Sequence, residues 1–430
     1  MQFLKVLRYP QLALLWSSQV LSSIGDFFYA IAVMWFAIRI AGSTGVMVSA
    51  VESGAALAFG LLGGVYADRW NRRTIMLTVD ILRACVVGSL PVLAFFGQLQ
   101  LWHMLVVALL VGSLGSLFDP ALQASLPTLA QDTRTLQAAN GLMDVTRRLA
   151  RALGPSLAGP LLVVLPLQHF FTLDAVSFLI SAGAIFLIGR HLSPSEHTSK
   201  RRHDGVVGIL TDLKDGFQQI RRHPYLPGIF AAVFVIAVTW TIAFTAGIPL
   251  YAERYLNSGP GAYGLIVGAY GVGNVISNFV MGSIKLRRPL AAIMLGRVIV
   301  GLGFLLMVCA PSLPIALLGS ACAALGGPLD DIPLMLIIQT EIPPHHIGKV
   351  YSAYSTISMS AMALGGLIAA SLYQYVSVPI GIVLCALLIM STGIGGALHI
   401  QWKRKSGKET AVHPTKDTVI IEQECRSSQQ

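Results

Sequence analysis

Gly64-Val65-Tyr66-Ala67-Asp68-Arg69-Trp70-Asn71-Arg72-Arg73 sets three arginines and one aspartate between two apolar stretches. Residues 46–67 precede the charges and residues 74–96 follow them. Each stretch is long enough to cross a hydrocarbon layer about 30 Å thick. The segment therefore reads as a very short loop joining two membrane helices. Short loops rich in arginine stay in the cytoplasm, and that choice sets the sidedness expected for every other span.

Composition points the same way. The chain is 54% hydrophobic and 12% charged, against about 25% charged in an average soluble domain. Its mean hydropathy is +0.69. Twelve spans fit the apolar stretches: 12–38, 46–67, 74–96, 101–118, 139–164, 170–189, 226–250, 261–283, 290–310, 314–338, 350–374 and 380–400. The expected fold is an all-α polytopic membrane protein in the cytoplasmic membrane. The first span is too long for a signal-peptide core and lacks a small-residue cleavage site, so it is expected to be retained.

The net charge of +10 would suggest nucleic acid in a soluble chain, but its placement argues against that partner. Of the 30 Lys and Arg, only Arg39 and Arg254 fall in segments assigned to the outside. An even number of spans then places both termini in the cytoplasm. Cys85, Cys309, Cys322, Cys385 and Cys425 show no paired spacing and give no sign of a disulfide framework or a metal site.

The second half of the chain echoes the first at a nearly constant offset. Gly64 recurs at Gly282 (282 minus 64 is 218), Arg83 at Arg297 (214), Gln123-x-x-x-Pro127 at Gln339-x-x-x-Pro343 (216) and Ala150-x-x-x-Gly154 at Ala361-x-x-x-Gly365 (211). This predicts a six-helix bundle over 1–190, a cytoplasmic linker over 191–225, a second bundle over 226–401 and a polar tail from 402. In the linker, Val206, Leu210, Leu213, Phe217 and Ile220 form one apolar helical face opposite Asp212, Lys214, Asp215, Gln218 and Arg221. Such a helix lies on the inner membrane surface or packs against the cytoplasmic helix ends; both readings stay open.

The spacing Gly-x-x-x-Asp-Arg-x-x-Arg-Arg at 64–73 resembles the loop signature of the major facilitator superfamily of secondary transporters, with Asn71 where that family has Gly. Parallel repeats with the substrate site between them match that architecture. In the loop, Gly64 permits close helix approach, and Asp68 can accept hydrogen bonds from the start of a neighbouring helix. The resemblance implies that Asp68 latches the inward-closed state, while Arg69, Arg72 and Arg73 anchor the loop to headgroups or acidic partners, or simply orient the spans.

In span five, Pro155 between Gly154 and Gly159 predicts a kinked, closely packed helix. It resembles the Gly-Pro motif that accompanies antiport-driven exporters. Ser23-Ile24-Gly25-Asp26, Phe118-Asp119-Pro120-Ala121, Leu126-Pro127, Ala139-Asn140, Leu173-Asp174-Ala175-Val176-Ser177-Phe178 and Asp212-Leu213-Lys214-Asp215-Gly216-Phe217 resemble the macrolide, drug and siderophore exporter branch. Adjacent Asp330 and Asp331 depart from its pattern in span ten.

Charges inside spans are the next signal, because each costs about 2.5–3.5 kcal/mol to insert. Asp80 and Arg83, three residues apart, read as an internal ion pair. Asp144, Arg147, Arg148 and Arg151 read as a salt-bridge network at the inner end of span five. That leaves Asp26, Glu52, Asp330 and Asp331 as unpaired carboxylates, each suited to proton exchange, to a cationic substrate or to a structural hydrogen bond. Asp26 is the deepest and ranks first. Neighbouring helix positions point about 100° apart, so Asp330 and Asp331 cannot face one cavity. Phe28, Trp35, Trp240 and Phe244 are the aromatic residues placed either to form a substrate wall or to pack against lipid.

There is no phosphate-cradling Gly-x-x-x-x-Gly-Lys-Ser/Thr loop, no Ser-His-Asp set and no metal-ligand set. The chain is not expected to be an enzyme or to carry a cofactor. The leading reading is proton-coupled efflux of a drug, antibiotic or similar natural product by a monomer. Import of a metabolite or lysolipid on the same fold is the alternative, followed by a non-transporting scaffold or sensor. Reporter fusions should place both termini in the cytoplasm and give an even number of crossings; an odd number excludes the two-bundle topology.

Overall fold

The computed structural model describes residues 9–67, 71–129, 165–189, 205–284 and 288–405, together with isolated positions between 130 and 164. All the described regular elements are helices. Helix α1 (Pro10–Ala41) starts with proline in its first turn, where a missing N–H costs nothing. It stops at Gly42, whose φ of 60° favours glycine. A 3-10 turn, Gly42–Val46, leads into α2 (Met47–Ala67). There Gly45 packs on the backbone carbonyl of Ala37, where no side chain fits.

Helices α3 (Arg72–Phe95), α4 (Leu101–Leu129) and α5 (Gln168–Ile188) complete the described part of the first half. α6 (Gly205–Arg222) lies in the linker. The second half holds α7 (Leu226–Arg254), which has a π-helical segment at Thr241–Gly247, and α8 (Pro260–Ser283). It continues with α9 (Pro289–Val308), α10 (Leu313–Glu341), α11 (Pro344–Tyr375) and α12 (Val378–Lys405).

Among the described residues, ten stretches are long and apolar enough to cross a membrane. The first runs Pro10–Gly60, 51 residues, and so contains both α1 and most of α2. At ~1.5 Å per residue it would reach about 75 Å as one rod, more than twice the hydrocarbon thickness. The fold at 42–46 resolves the excess. The expected fifth span, 139–164, lies almost wholly outside the described residues. Span four is longer than expected: α4 continues from 118 to Leu129 through Pro120 and Pro127. Large apolar side chains on the outer faces stay exposed, as in Phe186 and Phe279, because lipid rather than protein solvates them.

With lipid as apolar as leucine, helix association rests on close backbone approach. α9 and α10 show it best. Gly296 lies against Gly326, Gly303 against Ala323, and Gly319 against Met307. Contacts between the halves run chiefly through α2 and α11. At that seam a Cβ on Gly366 would stand 2.8 Å from the Cβ of Ala50 and 3.0 Å from its amide nitrogen.

Among the described residues, the apolar core is continuous at one end. One cluster joins the two halves through Trp35, Val48, Ile248, Tyr263 and Ala369, at the end carrying the 42–46 turn. At the opposite end there are two separate clusters. One holds Leu12, Leu15, Met76 and Leu126 of the first half; the other holds Ile220, Phe230, Ile338 and Val350. Among the described residues the halves thus share a core at the end carrying the 42–46 turn, and each keeps its own at the other.

Linker helix α6 packs against the start of α11 and also touches α2. Gly216 lies on the backbone of Lys349, and Ile220 is buried, whereas Phe217 remains exposed. Of the two expected placements, packing against the cytoplasmic helix ends is the one seen, with Phe217 left exposed. Lys349 Nζ donates to Asp212 Oδ1 at 2.8 Å and to Asp215 Oδ2 at 2.7 Å. The lysine hydrogen bond holds the Asp215 carboxyl below its ordinary value. Its contribution is therefore present above pH ~4 and is lost as pH falls through the lower folded value.

Lys349→Met should raise hydrogen exchange across 205–222 while the membrane helices keep their protection; unchanged exchange would remove the clasp. Gly366→Leu should cost about 1–3 kcal/mol by overpacking the α2–α11 seam. A thermal-shift measurement should show the lower melting temperature.

Candidate substrate cavity

Along α1, residues 12–15 belong to the first-half cluster and residues 28–38 to the joined one. Between them, Gln19, Ser22, Ser23 and Asp26 recur at the three- and four-residue steps of one helix face. That polar stripe lines a cavity of about 300 Å³. α3 contributes Arg83, and α4 contributes Phe118, Asp119 and Gln123. Asp26 and Asp119 are both exposed to it. The stripe is held in place from behind: Gln19 Nε2 donates to Ser181 Oγ at 3.0 Å, and Trp16 Nε1 donates to Thr146 Oγ1 at 2.6 Å.

Behind Asp26 the first half buries further charge. Asp174 is 1% exposed and sits where α5 crosses α1 at Gly25; a Cβ there would stand 2.6 Å from Asp174 Oδ1. Ser177 Oγ donates weakly to the same oxygen at 3.5 Å. The buried hydroxyl of Tyr29 has no hydrogen-bond partner among the described residues and lies within electrostatic reach of Asp26, Glu52, Asp174 and Arg83. Glu52, on α2, is half-buried. The structure thus brings Asp26 and Glu52 into one electrostatic neighbourhood.

It does not bring in the second-half acids. Asp330 was expected to be unpaired, yet Arg297 Nε donates to its Oδ1 at 3.1 Å, and Arg297 is only 2% exposed. A buried charge of this kind is retained by its partner. Asp331 points elsewhere, as the 100° step requires, and faces Tyr270 and Tyr354. The expected Asp80–Arg83 pair is also absent: both carboxylate oxygens of Asp80 lack a hydrogen-bond partner among the described residues. The Arg83 guanidinium instead rests over the rings of Phe178, at 5.2 Å, and Phe118, at 5.8 Å.

The four expected aromatics divide among three places. Phe28 packs on Phe170 at 4.8 Å inside the first half. Trp35 stacks on Tyr263 at 5.6 Å, across the core the halves share. Only Trp240 and Phe244 share a surface, stacked at 4.4 Å with Tyr270 edge-on to both. All four belong to or pack against the shared apolar cluster, but their ring partners differ.

In the 64–73 loop, Asp68 and Arg69 lie outside the described residues, as do the surroundings of Gly64. Asn71 caps α3 by accepting from the Thr74 amide at 3.3 Å. Arg72 Nη1 donates to the Ala124 carbonyl at 2.6 Å. Arg73 donates to the Phe186 carbonyl at 3.3 Å and lies over its ring. These two arginines therefore tie α3 to α4 and α5 through carbonyls and a ring rather than through acids. Gly154, Pro155, Gly159, Asp144, Arg147, Arg148 and Arg151 lie outside the described residues.

Sequence reasoning passed over Arg83, Asp119, Gln19 and Gln123 as site residues. The signal was present in the polar stripe on α1 and in Asp119 and Gln123, four apart on one face of α4.

A membrane bundle with a polar cavity between helices defines a transporter rather than an enzyme. The chain matches the Transmembrane secretion effector family over residues 3–424 and belongs to that family, within the major facilitator superfamily. It is 25% identical to an uncharacterised MFS-type transporter of Bacillus subtilis, over 88% of this chain and 90% of that one. It is 22% identical to macrolide efflux protein A of Streptococcus pyogenes, over 88% and 93%. With the multidrug efflux pump Tap of Mycolicibacterium fortuitum it shares 24% identity over 73% and 76%.

Among solved structures, a POT family peptide-type transporter superposes with a TM-score of 0.66 at 14% identity, over 90% and 95% of the two chains. A bacterial homologue of the lysosomal transporter Spinster, solved in an inward-facing and occupied conformation, superposes with a TM-score of 0.61 at 12% identity, over 90% and 97%. These likenesses establish the fold.

Gly25→Val should press on Asp174 and Ser177 and separate α1 from α5. The variant should lose folded protein in size-exclusion chromatography, while Gly54→Ala, where a Cβ meets open space, should behave as wild type.

Proposed function

We propose that this protein exports a drug, antibiotic or related small natural product across the cytoplasmic membrane by proton antiport with alternating access. In this reading it is a monomer with twelve crossings and two pseudo-symmetric six-helix bundles, 1–190 and 226–401. The linker 191–225, the tail from 402 and both termini are cytoplasmic. The observation that carries the reading is the one-sided seam, with exposed Asp26 at the level where the shared core ends. The positive-inside tendency assigns the open end to the cytoplasm, so this is the state that loads from inside. The macrolide and multidrug efflux relatives support export over import.

Asp26 and Glu52 then exchange protons against substrate, while Asp331 stands apart from them in the second half, within electrostatic reach of Tyr270 and Tyr354. Asp330 is left out because Arg297 occupies it. The 64–73 loop, with Asp68 as latch beside Gly64, Arg69, Arg72 and Arg73, closes the inner gate. The kink at Gly154, Pro155 and Gly159 belongs to the antiport-type fifth helix.

Everted vesicles with an acid lumen should accumulate a labelled macrolide or another compound from a drug panel, and dissipating the proton gradient should stop it. Asp26→Asn should abolish accumulation at unchanged protein level. Accumulation equal to wild type would remove Asp26 from the coupling, and gradient-independent equilibration would replace antiport with facilitation.

A further inference from the structure

Arg83 and Arg297 hold corresponding places in the repeat, 214 residues apart, yet only Arg297 has its counter-ion. The position that answers Asp330 on the neighbouring first-half helix is Gly115 (330 minus 115 is 215). Gly115 lies directly against the Arg83 guanidinium. Where the second half places a carboxylate, the first half places no side chain at all. Arg83 makes no ion pair with any described acid, and its buried Nε has no hydrogen-bond partner among the described residues. The guanidinium carbon rests over the rings of Phe118 and Phe178, and the residue lines the cavity.

The same cavity exposes two carboxylates, Asp26 and Asp119, that make no ion pair with Arg83. Opposite charges kept apart inside one small cavity offer two-point recognition. A guanidinium edge suits a carboxylate, which it can bind in bidentate fashion. Paired carboxylates suit an ammonium group. A volume of about 300 Å³ stands at the small end of drug-sized pockets.

We propose that this cavity takes an amphoteric solute, with Arg83 binding its oxyanion and Asp119, beside Asp26, binding its ammonium group. Arg83 is thereby the residue that distinguishes zwitterions from simple cations. The inference rests on the efflux reading for its purpose, while its chemistry is tested by binding alone.

The test uses the full chain in lipid nanodiscs at pH 7 and three probes on one scaffold: norfloxacin, which carries both charges, its ethyl ester, which keeps the cation, and its N-acetyl derivative, which keeps the anion. Wild type should bind norfloxacin about tenfold or more tightly than either derivative. Arg83→Gln should make norfloxacin and the ester bind alike. Asp119→Asn should do the same for norfloxacin and the N-acetyl compound. Gly115→Asp supplies Arg83 with the counter-ion that Asp330 gives Arg297, and should reproduce the loss seen in Arg83→Gln with the arginine still present.

An ester that binds wild type as tightly as norfloxacin, absence of norfloxacin binding, or an unchanged preference in Gly115→Asp overturns the proposal. Zwitterion preference in a protein that moves nothing in vesicles upholds this site and removes the efflux reading.

Discussion

Hydrocarbon cannot solvate charge, and this one constraint organises the interior of the molecule. Each ionic group inside the bundle needs a counter-charge, a hydrogen-bond donor or a water-filled space. Arg297 takes the first solution with Asp330. Asp174 takes a partial form of the second with Ser177. Asp26, Asp119 and Arg83 take the third, and a cavity exists where they meet. Charge placement and cavity placement are therefore one problem, because removing the counter-ion at Gly115 creates both an unpaired guanidinium and the room beside it.

The same constraint explains how the halves are held. Apolar surface gains little from leaving lipid for protein, so the strongest contacts are those where backbones approach closely. Glycines at 296, 303, 319 and 326 bind α9 to α10 within the second half, while Gly366 on Ala50 is a close approach across the seam. Only one end of the seam has a shared apolar core. At the other end the halves are connected by α6, whose grip on α11 is electrostatic through Lys349, Asp212 and Asp215 and whose touch on α2 is slight. The two ends thus differ: interlocked apolar side chains join the halves at one, and the Lys349 ion pairs fasten α6 to α11 at the other.

Membership of the Transmembrane secretion effector family accounts for the fold and the class of activity. The efflux relatives lie near 22–24% identity, a range in which a site can change its preferred substrate while the helices keep their places. The cavity residues follow from local chemistry in this chain. Its polar stripe on α1 and its uncompensated arginine on α3 set the demands that a ligand must meet.

Much of this was legible in the residues alone. Length and polarity marked the spans, because a helix in lipid needs about twenty apolar residues whatever its neighbours do. The 3.6-residue period marked α6. What sequence could not decide was which charge meets which. Asp80 and Arg83 share a helix face and yet do not pair, whereas Arg297 reaches across to Asp330, thirty-three residues away. Phe28, Trp35 and Trp240 share one apolar cluster, yet each ring packs on a different partner. Local spacing governs hydropathy and helical periodicity. Partner choice depends on how far apart two helices lie and which rotamers fit between them, and those distances exist only once the bundle has packed.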